Sequence, residues 1–406
     1  MVQEISKEEV WDALKLMNPS KAPRLDGFAP CFYQQFWEVV GDDVVDVARI
    51  FLGSRDFVQK MNCTHVTLIP KVKTPEVVGH LRPISLCNVL FKIGSKLLAN
   101  RLKPLLDDMI SPYQSAYVPG RLISDNSLVA FEIAHYLKRL RGSIARFCAL
   151  KLDMSKAYDR VEWCFLRVVL LQLGFCDQWV GWIMNCVETV SYSFVINGEV
   201  RGMIKPSRGL RQGDSISPYL FLICAKVLSR LIRGAEREGK LHGVSICTGA
   251  PTITHLFFAY DSFIFCRADE EECGDLMTKR QELAAYLGVM YVEKHNKYLD
   301  LPVELSYSKE EAFVYVAEKI DKRTQGWRDK TLSVAGKEIL IMAVLQSIPT
   351  YVMSCFELPQ HSVMQCICLW RNFGGVIKVQ HRKFIGWLGI GCAFRRVKAA
   401  WVSETW

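Results

Sequence analysis

Apolar positions fall at helical spacing almost from the first residue. Ser6-Lys7-Glu8-Glu9 is a capping box, in which a Ser side chain and a Glu answer each other across the first turn of a helix. Val10, Leu14 and Met17 then follow about a turn apart. Pro19-Ser20-Lys21-Ala22-Pro23 ends that helix. A second helical region carries Phe32, Phe36, Val39 and Val40, and a third carries Val44, Val45, Ala48, Phe51 and Leu52. From His65 the period changes. His65-Val66-Thr67-Leu68-Ile69-Pro70 predicts a strand, followed by a basic loop through Lys71 and Lys73, the segment Leu81-Arg82-Pro83-Ile84-Ser85, and a helix with Leu90, Ile93, Leu97, Leu98 and Leu102. Residues 127–139 predict an amphipathic helix with Leu128, Phe131, Ala134 and Leu137.

Three short patterns are sharper. Residues 147–152 form an apolar run without Gly or Pro, suited to a buried strand that delivers Asp153 at its end. A helix should follow, with Val161, Phe165, Val168 and Val169 on one face, and another carries Trp179, Ile183 and Val187. Asn197-Gly198, between Ser191-Tyr192-Ser193-Phe194-Val195-Ile196 and Glu199-Val200-Arg201-Gly202-Met203, is a strong hairpin signal. His255-Leu256-Phe257-Phe258-Ala259-Tyr260-Asp261-Ser262-Phe263-Ile264-Phe265 predicts two apolar strands around a two-residue turn, with Asp261 its ionised group.

Composition bounds what these elements can do. The 406 residues suffice for two or three domains, and 50% hydrophobic with 11% aromatic residues suffice for a real core. The net charge of +9 favours a polyanionic partner. Fifteen cysteines contain no CxxC pair and no His/Cys cluster at zinc spacing, so they are expected to be buried reduced thiols. No signal peptide and no uncharged apolar run of membrane-spanning length is evident, which predicts a soluble intracellular protein, nuclear or cytoplasmic, without a membrane partner. The abrupt start and the final Trp406 suggest a piece of something longer. Oligomeric state is left open.

The candidate chemistry is ambiguous residue by residue. Asp153 alone reads as a cap or turn residue, and Asp261 as a turn residue. Lys71, Lys73, Arg82, Lys92, Lys96, Arg101 and Lys103 face only Glu76 in opposition. Lys92 and Lys96 suit a solvated helix face, whereas Arg82, between Leu81 and Pro83, suits a phosphate held bidentately. Ser207-Arg208-Gly209-Leu210-Arg211-Gln212-Gly213-Asp214-Ser215-Ile216-Ser217-Pro218 precedes a long helix through Leu220, Phe221, Ile223, Val227 and Leu228. It is open to two readings, an anion site at a helix start or a plain loop with its cap.

Taken together and in order, these segments resemble the reverse transcriptase of LINE-type, non-LTR retrotransposons, closest to the plant-like forms, over residues 5–370. Residues 81–102 resemble the first fingers motif, 114–126 the second, 152–160 motif A, 207–218 motif B and 258–261 motif C. Lys297-Tyr298-Leu299, Gly326-Trp327, Ala335-Gly336-Lys337-Glu338 and Ile348-Pro349-Thr350-Tyr351 resemble the thumb. The resemblance implies an α+β right-hand polymerase: a helical lead-in over 1–60, fingers and palm over 61–268, a shortened connection and helical thumb over 269–370, and a truncated tail over 371–406. It implies nucleotidyl transfer with two Mg²⁺ ions, an RNA template, a DNA primer and a dNTP. Asp153 and Asp261 would be metal ligands, Tyr158 the gate against a 2′ hydroxyl, Gln212, Gly213 and Arg208 contacts of the incoming nucleotide, and Arg82 a contact of its triphosphate.

The chain also departs from the family. Motif C ends there in Ala-Asp-Asp and here in Ala259-Tyr260-Asp261, so Tyr260 stands at a lost ligand position. A phenol titrates near about 10, stays neutral at pH 7, and is a poor Mg²⁺ ligand. Ala284-Ala285-Tyr286 runs into Leu287-Gly288-Val289 where motif D is expected. Arg24-Leu25 replaces Gly-Pro before Asp26-Gly27, Ser215 replaces Pro, and Asp300 replaces Gly. By the same resemblance, the upstream endonuclease is expected to be absent and the tail reduced to a remnant around Trp387 and Trp401. The expectation is a reverse transcriptase by ancestry that has lost most or all activity. The alternatives are a non-catalytic RNA-binding remnant and a decayed reading frame without selected function.

Overall fold

In the computed structural model, the Ser6 hydroxyl accepts a hydrogen bond from the Glu9 N–H at 3.2 Å and opens α1 (Lys7–Lys15), as the capping box predicts. The structure describes residues 1–19, 27–139, 147–154, 156–267, 297–299, 301–302, 309–328 and 332–374. The departures at Arg24-Leu25, the motif D region, Asp300 and the tail tryptophans lie outside them. The described chain forms two compact units, one of residues 1–126 and 140–291, the other of residues 127–139 and 292–406.

The first unit begins with helices. After α1 come α2 (Pro30–Gln35), α3 (Trp37–Gly53) and α4 (Arg55–Met61). The second and third predicted helical regions divide elsewhere than expected: Phe36 is the junction, and Val39 already belongs to α3. Phe36 and Val39 are exposed, whereas Val44, Val45, Ala48, Phe51 and Leu52 are buried. The apolar run therefore outlasts the face that is covered. β1 (Cys63–Pro70) and β2 (Leu81–Leu86) pair antiparallel, and α5 (Val89–Leu102) follows. At Gly94 of α5 a Cβ would lie 2.5 Å from the Phe51 ring, so only glycine lets α3 and α5 approach this closely.

α6 (Leu106–Met109) and α7 (Ile123–Arg139) lead to β3 (Phe147–Asp153). The helix expected after it is α8 (Trp163–Gln172), preceded by a short 3₁₀ turn at Tyr158–Arg160. Its buried face is Leu166, Val169 and Leu170; Phe165 and Val168 are exposed, so the start is later and the face rotated from the one expected. α9 (Asp177–Glu188) buries Trp179, Ile183 and Val187. β4 (Ser191–Ile196) and β5 (Glu199–Ile204) form the predicted hairpin, with positive φ at both Asn197 and Gly198. β4 also joins β1 in parallel, giving the sheet order β2-β1-β4-β5. α10 (Ser217–Arg237), β6 (His255–Phe258) and β7 (Asp261–Arg267) complete the unit, with a second sheet ordered β3-β7-β6. α10 lays Ile232 and Leu228 onto Phe257, Ile264 and Cys266 of that sheet.

The thiols are more varied than expected. Cys87, Cys186, Cys266, Cys355 and Cys366 are buried, but Cys63, Cys164, Cys176, Cys247 and Cys368 are exposed. Neighbouring apolar residues along the chain do not settle which way a short side chain faces.

The second unit gathers Phe313, Val316, Ile320, Ile341, Leu345 and Trp370 into a core of its own, with Leu128 and Phe131 of α7 packed against it. Its helices span Lys309–Arg328, Val334–Leu340, Ser347–Cys355 and Gln360–Gly374. A π-helical turn, Ile341–Leu345, precedes Pro349. Pro349 has no N–H for the preceding turn, and such wide turns accommodate a break in the hydrogen-bond ladder. The helical run Val334–Cys355 has the length and composition of a membrane span, which the sequence reading did not identify. The stretch carries Lys337-Glu338 in its first turns and is broken by Gln346, Ser347 and Pro349, and its Ile341, Leu345, Val352 and Cys355 are buried in this core.

One buried cation ties the first unit together. Arg211 and Asp214 form an ion pair at 3.2 Å with both side chains 3% exposed. Arg211 also donates to Thr64 Oγ1 of β1 at 2.9 Å and to the Cys186 carbonyl of α9 at 3.2 Å, and its guanidinium lies 4.3 Å from the Phe91 ring centre in α5. Removing one member of such a pair strands the other charge in a dry interior. Arg211→Ala should cost the first unit about 3–5 kcal/mol, read as a fall in the midpoint of urea unfolding.

Candidate functional site: the palm hairpin and the loops around it

β3 and β7 are antiparallel, and their register places Asp153 directly opposite Asp261. Opposed residues on such a pair stand on one face, with Cβ atoms about 4.5–5.5 Å apart. The turn between β6 and β7 is Ala259-Tyr260, and the Tyr260 carbonyl accepts from the Met154 N–H at 3.4 Å. Strand pairing alone therefore assembles Asp153, Tyr260 and Asp261 at one sheet end. Ala259 has φ +54°, a left-handed conformation uncommon outside glycine.

The strained turn is held from outside. Gln114 lies beside Phe257 in a parallel bridge, and its Oε1 accepts from the N–H of Ala259 at 3.0 Å and of Ala116 at 3.1 Å. Asn126 Nδ2 donates to the Phe257 carbonyl at 2.7 Å, and Ser115 Oγ meets Asn126 Oδ1 at 2.6 Å. Gln114, Ser115 and Asn126 are all buried. The second fingers motif thus acts as a polar clamp on the motif C hairpin, a role its turn-rich sequence did not reveal.

Three phenols converge beside the turn. Tyr158 stacks on Phe221 of α10, centroids 5.2 Å apart and planes 12° from parallel. Burial holds its hydroxyl far above the usual phenol range, reinforced by Tyr117, which hydrogen-bonds it, and by nearby Tyr260. Tyr260 is 42% exposed and Tyr117 52%. Tyr158 is thereby held between the Phe221 ring and the Tyr117 hydroxyl, with Tyr260 close by.

Motif B is bound to both neighbours through its backbone. Leu210 N–H donates to the Tyr158 carbonyl at 2.7 Å, and Gly209 N–H to the Val161 carbonyl at 2.8 Å. The Gln212 carbonyl accepts from Ser85 of β2 at 3.2 Å. Gly209 and Gly213 have φ +95° and +104°, and a Cβ at Gly213 would sit 3.2 Å from the Ser85 carbonyl. These two glycines answer both to conformation and to close approach. Of the two readings of this loop, the buried Arg211 belongs to the interior and not to an anion site. Arg208 is exposed and pairs with Glu162 at 3.1 Å. Arg82 is exposed on β2, three residues before Ser85. Burial raises the Asp159 carboxyl of motif A, and Lys156, Lys71 and Arg160 pull it back in part. Arg101 is not free for a template: it holds Glu9 at 2.6 Å and the carbonyls of Met1 and Gln3.

Among the described residues no group of three His, Cys, Asp or Glu could hold a metal ion. The register sets Asp153 opposite Asp261 with Tyr260 in the adjoining turn; two carboxylates and a phenol are a poor donor set for two Mg²⁺ ions, which take carboxylate oxygens.

With this geometry in place, comparison with known proteins is informative. Residues 69–301 match the family described as reverse transcriptase (RNA-dependent DNA polymerase). The chain is 26% identical over 383 residues to an uncharacterized 149 kDa protein of transposon TX1 from Xenopus laevis, covering 94% of this chain and 27% of that one. It is 52% identical over 69 residues to an uncharacterized mitochondrial protein of Arabidopsis thaliana, covering 17% and 57%. It is 27% identical over 241 residues to the retrovirus-related Pol polyprotein from type-2 retrotransposable element R2DM of Drosophila melanogaster, covering 57% and 22%. The chain belongs to the reverse transcriptase family, in the non-LTR retrotransposon branch that the motif order indicates. It spans 27%, 57% and 22% of these relatives' lengths. The family is divalent-metal-dependent and binds a nucleic-acid template and primer.

The sheet also carries a titrating group. His255 of β6 is buried, with Nε2 2.6 Å from Ser229 Oγ and Nδ1 3.0 Å from Thr254 Oγ1. Burial, then Arg233, pushes its imidazole down to about 4. The unfolded chain binds this proton near the usual value of about 6.5, so stability is intact above that and is lost as pH falls from 6.5 towards 4. The loss should be on the order of 3 kcal/mol. Melting temperature against pH should drop through this window, and His255→Gln should flatten the drop.

Proposed function

We propose that this chain retains the nucleic-acid-binding shape of a reverse transcriptase while its own polymerisation is absent or severely reduced. In this reading Asp153 and Asp261 occupy the positions that would hold Mg²⁺, and Tyr158 gates the sugar. Gln212, Gly213 and Arg208 line the nucleotide side, and Arg82, with Lys71, faces the triphosphate of an incoming dNTP. An RNA template and a DNA primer would lie against the basic fingers through largely sequence-blind phosphate contacts. An intracellular location, nuclear or cytoplasmic, goes with such partners.

The observation that carries the reading is Tyr260. It stands in the β6–β7 turn, adjoining Asp261 where that residue pairs with Asp153, and near enough to Tyr158 to act on its hydroxyl. Two metal ions about 3.5–4 Å apart need negative oxygens from neighbouring strands. A neutral ring supplies none and takes up the space of a carboxylate and its hydration. The same observation favours a non-catalytic RNA-binding role over an active enzyme, because the fingers and their clamp on the hairpin do not depend on this ligand.

Templated primer extension with Mg²⁺ tests the assignment. The unaltered chain should give no extension above background, and Tyr260→Asp should raise extension at least about 100-fold, equivalent to roughly 3 kcal/mol of barrier. Mg²⁺-dependent extension by the unaltered protein would refute the claim of lost activity.

A further inference from the structure

The C-terminal half of α10 carries Lys226, Arg230, Arg233 and Arg237 at alternating spacings of four, three and four residues. At about 100° per residue they fall within roughly 60° of one another, and Leu228, Ile232 and Ala235 fall on the opposite side. That opposite side packs on the β3-β7-β6 sheet. The four cations line a cleft of about 390 Å³ whose other wall is the end of α6 and the loop after it, with Asp108 the one acid in its lining. None of the four forms an ion pair among the described residues. Arg237 acts on Glu238, which is already paired with Lys240 at 2.6 Å. Partial burial and neighbouring Arg230 both push the Lys226 ammonium down, so the like charges crowd one another.

The cleft is not the polymerase site. Ser229 lines it and contacts His255, at the start of β6, whereas the Ala259-Tyr260 turn follows the other end of that strand. The motif B loop lies likewise at the opposite end of α10.

We propose that this face of α10 binds the phosphodiester backbone of a nucleic-acid strand, as a contact separate from the fingers and the catalytic hairpin. The length of the stripe decides the class of ligand. Eleven residues of helix span about 16 Å, too long for one phosphate or nucleotide to engage all four cations and well suited to successive phosphates of a strand. Arginine, at three of the four positions, is the side chain suited to bidentate phosphate contact. The proposal goes beyond the preceding reading and does not depend on whether the chain polymerises.

The test is anisotropy of a short fluorescein-labelled single-stranded RNA with the full chain over a salt series. Three variants are compared: Arg230→Gln/Arg233→Gln/Arg237→Gln, the same three positions changed to Lys, and the fingers variant Lys71→Gln/Lys73→Gln/Arg82→Gln. The α10 Gln variant should bind at least about tenfold more weakly at low salt, with the slope of log K against log salt reduced by about 2, at roughly 0.7 per phosphate contact on a single strand. The Lys variant should keep that slope. Arg237→Gln alone, at an exposed position, should reduce it by about 0.7 and serves if the triple variant does not fold. Unchanged affinity and slope in the α10 variants, with a weakened fingers variant, would overturn this proposal and leave the fingers reading standing. An unaltered chain without salt-dependent RNA binding would overturn both.

Discussion

The antiparallel pairing of β3 with β7 is the constraint on which the palm rests. It is a backbone interaction, indifferent to most side chains, yet it determines which residue faces which. A slip of one residue would move Asp153 away from Asp261 and exchange the faces of every apolar partner along the strands. Leu150 opposite Ile264, and Cys148 opposite Cys266, stand on one face and pack in one cluster with Phe257, and so protect the geometry of the polar end by covering the correct face. The site is a by-product of a packed sheet, held at its rim by hydrogen bonds from the second fingers motif.

The alternating and apolar strands, the Asn197-Gly198 hairpin, the Ser6 cap and the long helix after motif B were all legible as local patterns. Each depends on interactions within a few residues. The joint between α2 and α3 and the buried face of α8 were less legible, because apolar residues there outnumber the positions that neighbours cover. Asp153 and Asp261 could be paired only through the order of motifs, since nothing local to either residue names its partner. The polar clamp of Gln114, Ser115 and Asn126 was invisible for the same reason, as its acceptors and donors lie in the distant hairpin. Arg211 is the sharpest case. In sequence it looked like one of two arginines beside a phosphate loop, and only the fold separates the buried Arg211 from the exposed Arg208.

That separation also shows how the residue type at an exposed turn position and the architecture around it can be set independently. Arg211 sits where burial makes it costly to change: without it Asp214 would be charged and unpaired, and α5, α9 and β1 would lose a shared contact. Tyr260 sits half-exposed in a turn whose conformation is secured through backbone groups of Phe257 and Ala259. A substitution at 260 leaves those backbone bonds in place. Stability and chemistry are therefore loaded in large part onto different residues of the same motif set.

The same logic bears on the basic stripe of α10. Cations crowded on one helix face, with no ion-pair partner among the described residues, are a cost to the folded state, since like charges raise one another's energy. Leu228, Ile232 and Ala235 on the other side already supply the packing that α10 needs, so the arginines contribute nothing to the core. A feature that costs stability and is dispensable for packing is explained most simply by something outside the chain. Its length along the helix and its uniform sign describe a polyanion laid across it.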